Sequence, residues 1–445
     1  MTSTSGADGA PSATETRAGA AAATARRNFR FGVLNGTVFQ VGDTFLDSNT
    51  VVPLFLARLT TSNALIGFGS GLADMLWLLP QVVVAPRIAR HPRQLWLYRR
   101  AATVRAIVLG LIAALTVPLA ADHPGLLLGV FLVCYATYCL GGGVAALPFM
   151  EVVAKTVPPE RLGSFWARRL FWGGLLAAGA GLLVRAILEI DDFGLRFALL
   201  FGIGAILVSL GYACFLAIDE PDGAPGLIPA SPLALLREGV ARMRGDEVFR
   251  RLYLSRATLS IWYAVAPFVV LFAVRDLGAG PRAAGTFLFA RVTGYVLSNL
   301  VWSRIARAWG YRAVLRTSTA LIASLSAAAA AIAWVSPYGA GWIGADAAVV
   351  LLEIVAGLGG AALSGMIVGY ASLVLITAPP GRRQTHLAIM HSFLGPTLLL
   401  PALGGALVDA TRPPVLFALG GAAALLGWRA ASRLPAAAES AAGAR

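Results

Sequence analysis

The chain has 445 residues, of which 58% are hydrophobic and only 13% charged, and its mean hydropathy is +0.74. Soluble domains carry about a quarter charged residues, so this composition excludes a soluble protein as well as a disordered or collagen-like chain. The net charge of +14 comes from basic clusters between apolar runs rather than from one basic face, which argues against a nucleic-acid partner. We therefore predict an integral membrane protein whose partner is the lipid bilayer.

Apolar runs of membrane-spanning length follow one another along the chain. A bilayer core about 30 Å thick needs about 20 apolar residues per helix. Transmembrane β-strands would instead show alternating segments of about ten residues, and these runs are longer and apolar on all sides. Twelve runs satisfy the helical criterion, with approximate limits 31–56, 64–86, 101–120, 125–149, 164–188, 194–217, 252–274, 283–303, 313–335, 347–375, 386–408 and 413–433.

The basic residues give these spans an orientation. With the N-terminus in the cytoplasm, 27 of the 36 Lys and Arg residues fall on the cytoplasmic side, six fall outside, and three lie within spans. Cytoplasmic loops of membrane proteins carry such an excess. We therefore expect a multi-pass protein of the cytoplasmic (inner) membrane with both N- and C-termini in the cytoplasm.

One long polar stretch divides the chain into two sets of six spans. Within it, Ser231 can act as an N-cap with Pro232 in the first turn, so an amphipathic helix is expected there. The sequence predicts a disordered cytoplasmic tail (1–30), an N-terminal six-helix half (31–218), a cytoplasmic linker with an amphipathic helix (219–250), a C-terminal six-helix half (251–434) and a cytoplasmic tail (435–445).

The two halves share a short sequence in matching loops. Arg-Ile-Ala-Arg occurs at 87–90, after the second span, and at 304–307, after the eighth. The segment from Ser303 to Arg312 resembles the loop signature of the major facilitator superfamily, Gly-x-Leu-Ala-Asp-Arg-x-Gly-Arg-Lys, although Arg307 stands where the acidic residue is usual. The resemblance implies an all-α fold of 12 transmembrane helices in two pseudo-symmetric six-helix halves. It also implies that the loop residues take part in gating, namely Arg87, Arg90, Arg304, Arg307 and Gly310.

Two carboxylates in the first span are the strongest functional signal. Charges at the bilayer centre cost about 2.5–3.5 kcal/mol each and usually face a cavity or a partner. Asp43 and Asp47 are four residues apart and therefore share one helix face. In the family that this chain resembles, the first helix of each three-helix unit lines the central cavity. We expect the pair to carry a coupled proton, against the alternative that they are structural acids paired with an arginine.

Further polar residues within spans complete the candidate proton-coupling and substrate cavity. Asp74 and Glu353 are candidate members of this cavity. Asp74 has two alternatives: it pairs with an arginine, or it belongs to a gate. Arg291 must find a carboxylate or an anionic ligand, and a carboxylate of span one or two is one option. The remaining possible cavity-lining residues are Asn35, Gln40, Tyr135, Trp262, Tyr370 and His391.

These features favour a secondary transporter that moves a small molecule by alternating access, coupled to protons. The two acids of span one are similar to those of multidrug antiporters of the superfamily, which favours efflux of drug-like or amphipathic compounds. An importer or facilitator of a polar or anionic solute, and a non-transporting assembly factor with the same fold, stay open. Lys155 is the only lysine and belongs to no nucleotide-binding loop. We expect no enzyme activity, cofactor or metal, and a monomer with protons and a small-molecule substrate as partners.

Overall fold

The computed structural model describes residues 13–80, 83–84, 91–223, 232–377, 389–391 and 393–435. All regular structure in these ranges is helical. A single 3₁₀ turn, Gly395–Leu399, precedes α12. The helices are α1 (Ala13–Thr44), α2 (Val51–Leu59), α3 (Asn63–Leu78), α4 (Leu95–Ala120), α5 (Pro124–Thr156), α6 (Pro159–Leu188), α7 (Phe193–Leu216), α8 (Pro232–Gly245), α9 (Glu247–Arg275), α10 (Ala283–Val335), α11 (Ala345–Thr377), α12 (Leu400–Ala410) and α13 (Pro413–Ser432).

Within the described ranges, eight helices are long and apolar enough to cross a membrane, where the sequence predicted twelve spans. These eight are α4 to α7, α9 to α11 and α13. Three of the other predicted spans coincide with helices that are too polar or too short to meet this criterion, namely α1, α3 and α12. The boundaries of the long helices agree with the predicted limits to within a few residues at most ends.

The helix α10 contains two of the predicted spans. Its 53 residues would extend about 80 Å as one straight helix, far more than a bilayer core about 30 Å thick. The helical geometry breaks at Gly310, which has φ 78° and ψ 173°. Glycine adopts a positive φ without steric cost, so it is suited to the sharp change of direction between spans eight and nine.

The N-terminal tail is shorter than predicted. Disorder was expected up to residue 30, but α1 begins at Ala13. The segment 18–25 is almost entirely alanine, the residue with the highest helix propensity, and this explains why the helix extends beyond the membrane-spanning part. Residues 1–12 and the predicted tail from 436 onward lie outside the described ranges.

The helices before and after residue 224 are referred to as the first chain segment (13–223) and the second chain segment (232–435). An aromatic core holds the first segment together around Phe55, whose ring centroid lies 4.7 Å from Phe131 and 5.0 Å from Phe201. Tyr135 stacks on Phe131 at 5.2 Å and is buried in this core. The sequence had suggested that Tyr135 lines the cavity, but the structure places it in this core instead.

Backbone contact between α10 and α11 organises the second segment. A Cβ atom on Gly360 would collide with the carbonyl oxygen of Arg291, and one on Gly294 would collide with the carbonyl of Gly357. Gly357 and Gly360, three residues apart in span ten, allow this approach, since helices can come this close only where side chains are absent. The position of Arg291 is therefore fixed by the adjoining helix.

The segment after α7 anchors one end of the bundle, called here the Glu220 end. The buried carboxylate of Glu220 accepts hydrogen bonds from the backbone N–H groups of Gln94 (2.7 Å) and Leu95 (2.7 Å) at the start of α4. The ammonium group of Lys155 lies 3.1 Å from the same carboxylate. Farther along, α8 occupies the predicted position of the linker helix, and its Gly239 packs against Phe393.

Candidate functional site

An ion pair joins the two chain segments in the interior of the bundle. Residues 45–50 form a bend between α1 and α2, where one oxygen of Asp47 accepts hydrogen bonds from the Thr50 hydroxyl (2.8 Å) and the Asn49 N–H (3.0 Å). The other oxygen pairs with the guanidinium group of Arg291 on α10. The two side chains are 11% and 17% exposed, respectively, and the Nε atom of Arg291 is buried without a hydrogen-bond partner. Arg291 thus takes the carboxylate option that the sequence left open.

The sequence predicted one continuous helix over 31–56, but α1 ends at Thr44 and α2 begins at Val51. Asp47 therefore lies in the bend, four residues after Asp43, and the two carboxylates have different environments. The Asp43 side chain is exposed, although its neighbours Gly42 and Thr44 are buried. Among the described residues, its side chain has one hydrogen bond, a long one of 3.5 Å from the hydroxyl of the buried Tyr138 on α5. Asp43 therefore faces a solvent-accessible space inside the bundle.

Arg105 on α4 stands behind this carboxylate and was not nominated from the sequence. Its guanidinium group lies 4.1 Å from the ring centroid of Tyr138, 5.1 Å from that of Tyr212 and 5.6 Å from that of Phe39. Among the described residues, no carboxylate oxygen lies within 4.0 Å of it, so aromatic faces stabilise the charge instead. The signal in the sequence was a charged residue in the middle of an apolar span.

A second group of polar side chains surrounds Arg256 on α9. We call Arg256, Tyr370 and His391 the Arg256 cluster. The Arg256 guanidinium lies 5.7 Å from the ring centroid of Tyr370 on α11. Three buried atoms have no hydrogen-bond partner among the described residues: Nη1 of Arg256, the hydroxyl of Tyr370 and Nδ1 of His391. Arg256 is the cation that interacts most strongly with Asp74 of α3, yet the two groups form no ion pair within 4.0 Å.

The other predicted cavity residues lie elsewhere. Asn35 is 2% exposed, donates to the Gly211 carbonyl (2.8 Å) and accepts from Arg169 (2.7 Å), so it joins helices rather than lining a cavity. Gln40 faces α6, where its side-chain oxygen occupies the space beside Gly173.

Two further candidates lie in the second chain segment. Trp262 is buried against Gly359 and borders a cavity of about 20 Å³ next to Arg291, which has room for about one water molecule. Glu353 is half-buried on α11, and Arg185 is the charged group that acts on it. Within the described ranges, neither residue is hydrogen-bonded to the Asp43 carboxylate.

The predicted gating loops are described only in part. Arg87 and Arg90 lie outside the described residues. Arg304 and Arg307 are exposed on α10 just before the break at Gly310. In the described part of the chain neither forms an ion pair within 4.0 Å, so their predicted role in gating stays a prediction.

The opposite end of the bundle, called the Asn63 end, is closed by contacts between the two chain segments. The carboxylate of Asp409, at the end of α12, accepts hydrogen bonds of 2.9 Å from the backbone N–H groups of Asn63 and Ala64 and from the Asn63 amide. Arg275 donates to the Ala57 carbonyl at 2.6 Å. No Cβ would fit at Gly405, because the backbone of Asn63 occupies the space. This end is therefore sealed while Asp43 is open to solvent.

The hydrogen bonds at the Asn63 end affect the acidity of Asp409. Burial alone would raise the pKa of this carboxyl group, but the N–H groups of Ala64 and Asn63 hold the pKa below the ordinary value of 3.8. Such groups are two of the four N–H groups that a helix start leaves without an intrahelical partner. Asp409 therefore caps a helix of the other chain segment as a carboxylate.

Comparison with known proteins gives structural neighbours only. No family model and no curated protein matches the chain. A variant of the nucleoside transporter NupG is similar over 92% of this chain and 99% of its own, with a TM-score of 0.68 and 14% identity. An auto-inhibited peptide transporter of the POT family has a TM-score of 0.66 at 13% identity and covers 91% and 96%. A bacterial homologue of the iron transporter ferroportin, in an inward-facing state, has a TM-score of 0.64 at 17% identity and covers 92% and 98%.

The architecture and these neighbours define the class of protein: a multi-pass membrane protein with a transporter fold. More particularly, the fold is the one that these solved nucleoside, peptide and iron-transporter-like structures share. The neighbours are transporters rather than enzymes, in agreement with the absence of a catalytic motif in the sequence.

Proposed function

We propose that the protein is a proton-coupled secondary transporter that works by alternating access. In this proposal twelve spans form two six-helix halves, which correspond to the first and second chain segments. The Glu220 end is cytoplasmic, because the basic residues concentrate on that side. The sealed Asn63 end then faces outward, and the structure corresponds to a state closed to the outside.

The arrangement of Asp43, Asp47 and Arg291 is the observation that carries the proposal. Asp47 is neutralised by Arg291 across the two chain segments, whereas Asp43, four residues away, faces solvent and has no cation of the described residues within 4.0 Å. Two neighbouring carboxylates repel each other when both are ionised. Separating the chain segments would break the ion pair, leaving Asp47 and Asp43 as adjacent unpaired acids that can share a proton.

This arrangement couples proton binding to the conformation of the protein. When the Asp47–Arg291 pair is intact, Asp43 can release its proton into the space that it faces. When the pair is broken, protonation of one acid removes the repulsion between them. A proton that crosses the membrane down a potential of 100 mV supplies about 2.3 kcal/mol, enough for a solute gradient of about fiftyfold.

The substrate and the direction of transport are further parts of the proposal. The structural neighbours are named as nucleoside, peptide and iron transporters, so the fold does not select a substrate. Efflux of amphipathic compounds was expected partly from a cavity rich in aromatic residues. The burial of Tyr135 and Trp262 weakens that part of the argument. Efflux therefore rests on the two acids of span one.

Transport in cells tests the proposal. Dye and drug efflux is measured in hypersensitive bacteria that express the wild type, Asp43→Asn, Asp47→Asn or the matched control Asp346→Asn, whose carboxylate is exposed at the start of α11. We expect efflux by the wild type and the control, loss in the two span-one variants, and loss on addition of an uncoupler. Efflux that survives both the uncoupler and Asp43→Asn would refute proton coupling. If the wild type equals the empty vector while present in the membrane, the multidrug assignment fails.

A further inference from the structure

The Arg256 cluster contains three buried polar atoms that the fold leaves without partners. They belong to three helical elements: Arg256 Nη1 to α9, Tyr370 OH to α11, and His391 Nδ1 to the residues before α12. Buried polar groups in native proteins are almost always hydrogen-bonded, and each unpaired one costs about 1–3 kcal/mol. Tyr370 lies beside the Arg256 guanidinium, and Arg256 acts electrostatically on His391, so one ligand at this point could supply the missing partners.

The other arginines inside predicted spans are not available to a ligand in the same way. Arg291 already has its counter-ion in Asp47. Arg105 is only 7% exposed and is enclosed by aromatic rings and by the helix at Gly142, where an added Cβ atom would lie 3.2 Å from the guanidinium carbon. Arg256 is half-buried and forms no ion pair in the described part of the chain, so its charge is available to an anionic ligand.

The chemistry of the cluster selects an anionic group. All three groups can donate hydrogen bonds: the guanidinium only donates, and the Tyr370 hydroxyl and a neutral histidine ring can each donate one. Their common partner is therefore an acceptor. A cation in the membrane interior without a counter-ion is costly, and a carboxylate matches the planar, forked donors of arginine. The electrostatic interaction of Asp74 with Arg256 limits the negative charge that the site accepts, which favours a monoanion over a phosphate dianion.

We propose that Arg256, Tyr370 and His391 form the subsite for a carboxylate group, and that the transported substrate is therefore a small organic acid in its monoanionic form. This inference rests on the proposed transport function and names its substrate class. The site lies on the second chain segment, separate from the Asp43 and Asp47 carboxylates that carry the proton.

Ligand binding to the purified full-length protein tests the assignment independently of transport. The probes are benzoate, phenyl phosphate, benzylamine and benzyl alcohol, which share one ring and differ in the polar group. Binding is measured as the rise in the thermal unfolding midpoint while each probe is titrated. The titration extends to about 10 mM, because weak ligands have dissociation constants of about 1 mM. We expect benzoate to stabilise the wild type in a saturable way and the other three probes to have little effect.

Variants connect the binding to the cluster. Arg256→Gln should weaken benzoate binding by about tenfold to a hundredfold, because a charge-assisted hydrogen bond is lost, while Arg256→Lys retains part of the affinity. Tyr370→Phe removes one hydroxyl and should weaken binding by about threefold to tenfold. Arg412→Gln changes an exposed arginine at the start of α13 and serves as the matched control, with unchanged binding.

Several results would overturn the assignment: no benzoate binding to the wild type, tighter binding of benzylamine or phenyl phosphate than of benzoate, or unchanged benzoate affinity in Arg256→Gln and Tyr370→Phe. The test also separates this inference from the proposed function. If benzoate binds through Arg256 but Asp43→Asn has no effect on transport, the carboxylate subsite stands and proton coupling fails. If proton-dependent efflux of cationic dyes is found without benzoate binding, the proposed function stands and the subsite fails.

Discussion

One exposed carboxylate contributes to the closure of the Asn63 end, together with the contacts of Arg275 and Gly405. Asp409 accepts three hydrogen bonds of 2.9 Å from the start of α3, a helix of the other chain segment. The substitution Asp409→Ala would leave the N–H groups of Asn63 and Ala64 without this acceptor. The expected result is a larger population in which the two chain segments have separated at this end.

The magnitude follows from the geometry. Loss of a helix-capping side chain costs about 1 kcal/mol, and loss of a negative charge at a helix start costs about 0.3–1 kcal/mol. Because Asp409 is exposed and therefore screened by solvent, the sum is about 1–2 kcal/mol. With 1.4 kcal/mol for each factor of ten, the ratio of open to closed protein should rise about fivefold to thirtyfold.

The lowered pKa of Asp409 determines how closure of the Asn63 end depends on pH. Its pKa is held below the ordinary value of 3.8, so the charged form is the one that stabilises the closed end. The stabilisation is fully present above about pH 5 and is lost only as the pH falls through the lowered pKa. In Asp409→Ala the ratio of open to closed protein should be raised at neutral pH and should not rise further as the pH is lowered.

Spin labels across the Asn63 end measure this equilibrium. The exposed residues Thr61 and Thr411 belong to different chain segments, and labels at Thr61→Cys and Thr411→Cys report the separation as a distance distribution. Asp122→Ala, which removes an exposed carboxylate elsewhere, is the control. An unchanged distribution in Asp409→Ala, or an equal shift in the control, would refute the reasoning. The native thiols are buried and should not compete for the label, namely Cys134, Cys139 and Cys214.

Three further predictions concern stability, each measured by thermal unfolding in detergent. Asp47→Asn leaves Arg291 without its counter-ion and should lower the free energy of unfolding by about 2–4 kcal/mol. The double variant with Arg291→Gln should lose less than the sum of the two single variants, and additive losses would show that the pair is not coupled. Gly360→Ala should reduce folded protein severely, because its Cβ collides with backbone, while Gly110→Ala, with open space around it, should be neutral or stabilising. Gly310→Ala should cost about 1–2 kcal/mol because its φ is positive, and an unchanged midpoint would contradict the strained turn.

The sequence predicted the helices well because hydropathy reports directly on long apolar runs. The ends of the predicted spans lie within a few residues of most helix ends, and the loop glycine Gly310 falls at the break in α10. The carboxylates of span one were also predictable, because charged residues stand out in an apolar helix. Their spacing predicted one shared helix face, but α1 ends at Thr44, so Asp47 lies in the bend that follows and the two acids have different surroundings. The possible pairing of Arg291 with a carboxylate is what the structure shows.

The directions of the aromatic side chains were not predictable. A tyrosine in an apolar span can face lipid, a cavity or another helix, and hydropathy does not distinguish these environments. Tyr135 packs into the core of the first segment, while Tyr370 lies beside Arg256. The Arg256 cluster brings together residues separated by more than one hundred positions, and Arg105 is stabilised by rings from three other helices. Only tertiary packing produces such groupings.

The hydrogen bonds of Glu220 determine where the polypeptide can be divided. Because residues 219–223 are bonded to the start of α4, a fragment that ends before Glu220 would expose the N–H groups of Gln94 and Leu95 and remove a counter-ion of Lys155. A break placed after Gly223 leaves these bonds intact. Two separately expressed pieces divided there should reassemble in the membrane, whereas a division only five residues earlier should yield an N-terminal piece that is degraded.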